Sequence, residues 1–203
     1  MHVRGFNEAK VLSDLARLPE RHRVAYAGAC AERLLPLYAW FEQVESWGDS
    51  TILEHAISRA WNWIKGQTDR IAIRDAIAAC EQVTPDTEDF RSGLVSRALD
   101  AATAIAQALD SCLDPSPETV VQAGEIAWDC AFGWEQSQVN EPGKIHIADM
   151  AALNELARGG FVLLEENLQQ ESLHALRRLT LNNQEIDEFR EKYGKGNGLS
   201  SAR

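Results

Sequence analysis

Residues 30–49 read CAERLLPLYAWFEQVESWGD and place Leu34, Leu35, Leu37, Tyr38, Trp40, Phe41, Val44 and Trp47 within little more than a dozen positions. A surface segment cannot carry that apolar density in water, so the stretch demands cover from other elements and seeds a core. Pro36 removes a backbone donor and clashes with the turn before it, which ends or kinks one helix near Leu34 and starts a second. The second helix should stop at Gly48, with Asp49 capping the next. Glu32 and Arg33 form a charged couplet beside this apolar run, and such a couplet must either reach solvent or be buried with partners. The expectation is structural: Arg33 ties the stretch to a carboxylate or to helix C-terminal carbonyls.

Helical periodicity runs through the rest of the chain. Val11, Leu12, Leu15 and Leu18 share one face of a short lid helix over 7–18, with Asn7 as its cap. Pro19 opens a longer helix whose inner stripe is Val24, Ala27, Gly28, Ala31, Leu34 and Leu35, and the small residues on that stripe allow close approach. Ile52 to Ile64 repeats at three-and-four spacing, and Trp61 and Trp63 cannot both face inward. A helix over 69–83 carries Ile71, Ile73, Ile77 and Cys80 on its apolar side, and TPDTEDF then has the composition of a helix start.

The clearest buried helix spans residues 94–113. Arg97, Asp100, Thr103, Gln107 and Asp110 draw one polar ribbon along an otherwise Ala, Leu, Ile and Val cylinder. Asp114-Pro115-Ser116-Pro117 turns the chain into a partner helix, where Glu118, Gln122, Glu125, Asp129 and Gln136 trace a second polar line. The two helices read as an antiparallel pair. Residues 140–144, NEPGK, are a loop; helices are expected over 147–156, 161–179 and, more exposed, 180–193. The sequence predicts an all-α fold, a single-domain multi-helix bundle of about seven to nine helices over residues 1–193, with 194–203 as a flexible tail.

Composition narrows the partners. With 31 acidic against 20 basic side chains the net charge is −11, which disfavours nucleic acid and anionic membrane and permits a basic partner. The excess is local: residues 75–157 hold three basic and fifteen acidic side chains, while both ends are balanced. The four cysteines (Cys30, Cys80, Cys112, Cys130) show no CxxC spacing and sit in apolar helical contexts, so buried reduced thiols in a cytoplasmic protein are expected. No secretory signal or membrane-spanning run is present.

Catalytic motifs are weak. A carboxylate-bridged metal site in a bundle needs two Glu-x-x-His pairs, and only Glu171 with His174 matches. No GxSxG elbow is readable, and Gly194-Lys195-Gly196-Asn197-Gly198 neither follows a strand nor opens a helix, so it is no phosphate cradle. No cofactor, metal or catalytic residue is assigned.

Glu32-Arg33, Pro36, Tyr38, Phe41 and Gly48, then Asp86-x-Glu88-Asp89-Phe90 and the Ala-rich helix over 94–109, together resemble the YjaG-like bacterial proteins, known as domain of unknown function 416. The likeness covers roughly residues 8–135. It implies an all-helical cytosolic fold and brings no activity or catalytic residues with it.

The functional expectation rests on the acidic middle. It is a non-enzymatic protein that binds a basic protein partner through Asp86, Glu88, Asp89, Glu118, Glu125 and Asp129, most concretely an immunity-type protein that neutralises a basic toxin such as a nuclease. Two other readings stay open. One is a helical enzyme or metal-binding bundle whose polar residues converge only in three dimensions. The other is a housekeeping adaptor, a homodimer using Trp40, Trp47 or Trp61 at a rim.

Overall fold

Local chemistry sets the helix boundaries. The computed structural model describes residues 5–140 and 160–195 of the chain. The Asn7 side chain accepts from the Lys10 amide to start α1, Glu8–Leu15, which buries Val11 and Leu15. Helix α2, Glu20–Glu32, ends where Arg33 and Leu34 break the ladder, and α3, Leu35–Glu45, takes Pro36 into its first turn, where a missing N–H costs nothing. Ser46 in the left-handed region closes α3, and Gly48 at φ +99° turns the chain beside the Tyr38 ring. Asp49 then caps α4, Ser50–Ile64, and Asp69 caps α5, Arg70–Gln82, by accepting from the Ile71 and Ala72 amides.

Helix α6, Leu94–Leu113, and α7, Pro117–Asn140, are joined by a short turn held by Asp114, which accepts from the side chains of Ser116 and Thr119. The turn folds α7 back along α6, as the pairing of polar lines implies. After Gly160 at φ +99° come α8, Phe161–Leu176, and α9, Asn183–Phe189, the latter opened by a capping box between Asn182 and Glu185. A π-helical turn, Arg190–Lys195, continues directly from α9. All regular structure among the described residues is helical, an all-α multi-helix bundle. The expected loop over 140–144 and helix over 147–156 lie outside the described residues except for Asn140, which ends α7.

Two helices form the centre. Helix α6 packs against α2, α3, α4, α5 and α7, and α2 packs against α4, α6, α7, α8 and the π-helical turn. Every residue of α2 from Val24 to Glu32 is buried. Its six small residues permit this; at Gly28 an added Cβ would stand 3.3 Å from the Trp61 ring. The inner stripe predicted for α2 is therefore too narrow: its C-terminal two turns have no wet side.

The 30–49 stretch is buried only in part. Leu34, Leu37, Tyr38 and Phe41 are inside, while Val44 and Trp47 remain exposed. Phe90 stacks edge-on against both Phe41 and Trp47, at 5.0 and 5.3 Å between ring centroids, and supplies the cover this end receives.

Four further expectations need correction. Trp61 is 1% exposed, so it cannot serve at a dimer rim; Trp63 is the partly exposed member of that pair. Ile71, assigned to an apolar side, is 71% exposed because it occupies the outer face of α5's first turn. Asp86, Glu88 and Asp89 do not start a helix: Asp86 Oδ1 accepts from the Glu88 amide across a turn, and α6 begins only after Gly93. Gly194 and Lys195, placed in the tail by sequence, belong to the π-helical turn, and Gly194 is buried.

Candidate functional site

Arg33 and Glu32 leave the C-terminal end of α2 in different directions, and each finds a charged partner from the far end of the sequence. Arg33 Nε and Nη2 donate to Glu165 of α8 at 3.0 and 2.5 Å, and Nη1 donates to the Tyr193 carbonyl at 2.8 Å. Glu32 accepts two bonds from Arg190 Nε, at 2.9 and 3.0 Å, one from Nη2 at 2.6 Å, and one from Trp61 Nε1 at 2.9 Å. The π-helical turn makes both arrangements reachable, since it carries Arg190 and the Tyr193 carbonyl on one short segment. Gly194 within it leaves room for Glu32, as a Cβ there would come within 2.5 Å of the carboxylate.

A neutral branch extends the network. Gln169 Nε2 donates to Glu165 and to the Gly124 carbonyl, and Gln169 Oε1 accepts from the Tyr26 hydroxyl at 2.7 Å. Gly124 is required here, because a Cβ would collide with the Tyr26 hydroxyl. Burial alone would lower Arg33, but the adjoining Glu165 carboxylate more than offsets it and holds the guanidinium above its ordinary range. Burial raises the Tyr26 hydroxyl, with Cys30 and Glu165 adding to the effect, and pushes the Cys30 thiol up to about 11. Such a phenol and thiol stay protonated at neutral pH and supply no nucleophile. Every charged member has a close partner, so this cluster reads as a brace between the two ends of the chain. It fulfils the expected tie from Arg33 to a carboxylate.

The carboxylates singled out by the sequence lie elsewhere on the bundle. Glu118, Glu125 and Asp129 are exposed along α7 together with Gln122 and Gln136, as their spacing predicts. Asp86, Glu88 and Asp89 are exposed on the turn before α6. None of these six forms an ion pair among the described residues. Between the two groups runs the α6 ribbon. Asp86 and Glu81 border a shallow cleft with Leu99, Thr103 and Ala106 of α6. Partial burial raises Asp110, with Glu81 adding to it. Burial also raises Asp100; Arg97, bonded to it at 3.1 Å, opposes that rise, and Asp129 of α7 reinforces it. Glu81 of α5 thus acts on one end of the α6 ribbon and Asp129 of α7 on the other. Glu118 and Glu125 continue that line along α7.

Glu171 and His174 are both exposed on α8, and among the described residues no group of three or more His, Cys, Asp and Glu is placed to hold a metal ion. Cys30, Cys80, Cys112 and Cys130 are free and buried. Among the described residues no helix is long and apolar enough to cross a membrane.

A family model described as a protein of unknown function (DUF416) matches residues 10–199, so the likeness reaches well beyond the 8–135 expected from the motifs. Uncharacterized protein YjaG of Escherichia coli strain K12 is 27% identical over 113 residues, 56% of this chain and 57% of that protein. The protein of the same description from Salmonella typhimurium is 26% identical over a stretch of the same length. The match therefore spans little more than half the length of these curated relatives. A crystal structure of a DUF416 family protein from Shewanella baltica superposes with a TM-score of 0.71 at 21% identity, covering 90% of this chain and 92% of that one, and shows the shared fold.

Proposed function

The chain belongs to the DUF416 family of proteins of unknown function, and on that premise we propose that it acts without catalysis, by binding a basic protein through its acidic face. The observation that carries this reading is the state of the carboxylates. Glu118, Glu125 and Asp129 stand in solvent along α7, and Asp86, Glu88 and Asp89 along the turn before α6, with no cation matched to them among the described residues. The raised carboxyls of Asp100 and Asp110, for which burial is the leading cause in each case, mark ground between the two groups where negative charge is costly and a cationic partner would relieve it.

The most concrete form is an immunity-type protein of the cytoplasm that covers the cleft of a basic toxin, such as a nuclease. A nuclease cleft is cationic because it holds phosphates, and an acidic helical face is its electrostatic complement. The test is calorimetric titration against basic bacterial nuclease toxins. Reversing Glu118, Glu125 and Asp129 to lysine, or Asp86, Glu88 and Asp89 to lysine, is expected to weaken the complex by more than roughly tenfold and to reduce its salt dependence. Unchanged affinity in both variants removes the charge argument.

A further inference from the structure

Among the described residues the large apolar side chains left in solvent are Val44, Trp47 and Ile71, and two of the three occupy one corner of the bundle. Val44 lies in the last turn of α3, and Trp47 follows two residues past its end. Ser46 at φ +53° and Gly48 at φ +99° bend the chain on either side of Trp47. The indole meets the rings of Phe41 and Phe90 in edge contacts, at 6.0 and 5.3 Å between centroids, yet keeps 37% of its surface in water. Scattered apolar groups on a surface mean little, but a tryptophan held by a bend and two neighbouring rings loses little freedom on meeting a partner.

The corner also carries one sign of charge. Residues 34–53 include Glu42, Glu45 and Asp49 and no lysine or arginine, and the turn that brings Phe90 carries Asp86, Glu88 and Asp89 against Arg91 alone. Glu42 accepts from the Ser50 amide and Asp49 from the Thr51 amide, so both are engaged by the backbone. Glu45, Glu88 and Asp89 have no ion pair among the described residues.

We infer that this corner is the centre of the partner's footprint and receives an arginine side chain of the basic protein, its guanidinium on the Trp47 indole and paired with carboxylates of the adjoining turn. The inference rests on the reading that the chain binds such a protein, and it names where the contact is anchored. The same chemistry operates inside the molecule: Arg190 lies over the Trp61 ring, 5.6 Å from its centroid, while donating to Glu32, so one guanidinium serves an indole and a carboxylate together. At the corner the indole and the carboxylates come from this chain, and the guanidinium is what a basic partner brings. Arginine is selected over lysine because its planar, weakly hydrated head stacks on an aromatic face and still pairs at its edge. Helix α7 offers no such anchor, since among the described residues none of its large apolar side chains is exposed. Glu118, Glu125 and Asp129 then steer the encounter, and the corner holds the partner.

The test is calorimetric titration of the full chain, at low salt, with a peptide of alternating glycine and arginine beside one of alternating glycine and lysine. The arginine peptide is expected to bind roughly fivefold more tightly. Trp47→Leu keeps an apolar side chain at the bend but removes the ring, and should erase that preference. The double variant Glu88→Gln, Asp89→Asn changes only exposed side chains, so it keeps the fold, and should weaken both peptides by roughly threefold. Equal binding of the two peptides, or an arginine preference that survives Trp47→Leu, overturns the inference. Weakening by lysine reversal of Glu118, Glu125 and Asp129 with no effect of Trp47→Leu leaves the acidic-face reading standing and removes the corner from it. Binding of neither peptide overturns both. Self-association of the chain that Trp47→Leu abolishes assigns the corner to a second copy and overturns the inference as well.

Discussion

Arg33 and Glu165 lie 132 residues apart in the sequence and meet as a two-pronged ion pair almost wholly out of water. Removing one member strands the other as an uncompensated buried charge, which typically costs about 3–5 kcal/mol, whereas replacing both by apolar residues is far milder. Arg33→Met is therefore expected to cost several times what the double variant Arg33→Met, Glu165→Leu costs, as read by urea unfolding. Equal losses in the two would show that the pair is not the linkage that matters.

Gly124 sits inside α7, where alanine would normally gain about 1 kcal/mol of helix propensity. Here the new methyl meets the Tyr26 hydroxyl, and overpacking of this kind costs about 1–3 kcal/mol. Gly124→Ala should be net destabilising. Adding Tyr26→Phe opens the space but leaves Gln169 Oε1 without its donor, so the two losses should combine to less than their sum. Paired denaturation curves measure that shortfall directly.

Partial burial with Glu81 nearby raises the Asp110 carboxyl above its ordinary 3.8. A carboxyl raised in the folded state opposes folding above that raised value; the cost declines as pH falls through it and is gone only below 3.8, where both states are protonated. Asp110→Asn should therefore raise the thermal midpoint at neutral pH, with an advantage that shrinks as the solution is acidified. A pH-independent gain would mean that the carboxyl's charge is not the cause.

The Cys80, Cys112 and Cys130 thiols are pushed up to about 12, chiefly by burial, and all four cysteines are buried. A thiol that is both inaccessible and protonated does not react. The native protein should be inert to a disulfide reagent at neutral pH, and all four thiols should titrate together as denaturant unfolds it. Fast modification of any one in native buffer would reveal local opening near it.

Helix positions were legible in the chain because most apolar residues recur at three-and-four spacing, and the caps Asn7, Asp49 and Asp69 stand where those patterns begin. The centrality of α2 was not. Alanine, glycine and cysteine leave little contrast between one helix face and another, so a rod enclosed on every side resembles a weakly amphipathic one. The Asp86 turn was misread for a related reason: a side-chain oxygen that accepts from a nearby amide serves a bend as well as a cap. Glu32 and Arg33 announced that partners were needed, but nothing local singles out Glu165 or Arg190, since pairing at such separations is decided by the fold.

The π-helical turn also has a temporal consequence. On the ribosome Glu32 and Arg33 are made long before Glu165 and Arg190, and until those later residues emerge both ionised groups keep their hydration shells. The nascent N-terminal helices can assemble loosely, but the end of α2 stays wet until α8 supplies Glu165 to Arg33 and the last turn supplies Arg190 to Glu32. Dehydration of that junction is then a late step of maturation, and a chain halted before Arg190 would remain partly molten there however well its earlier helices had formed.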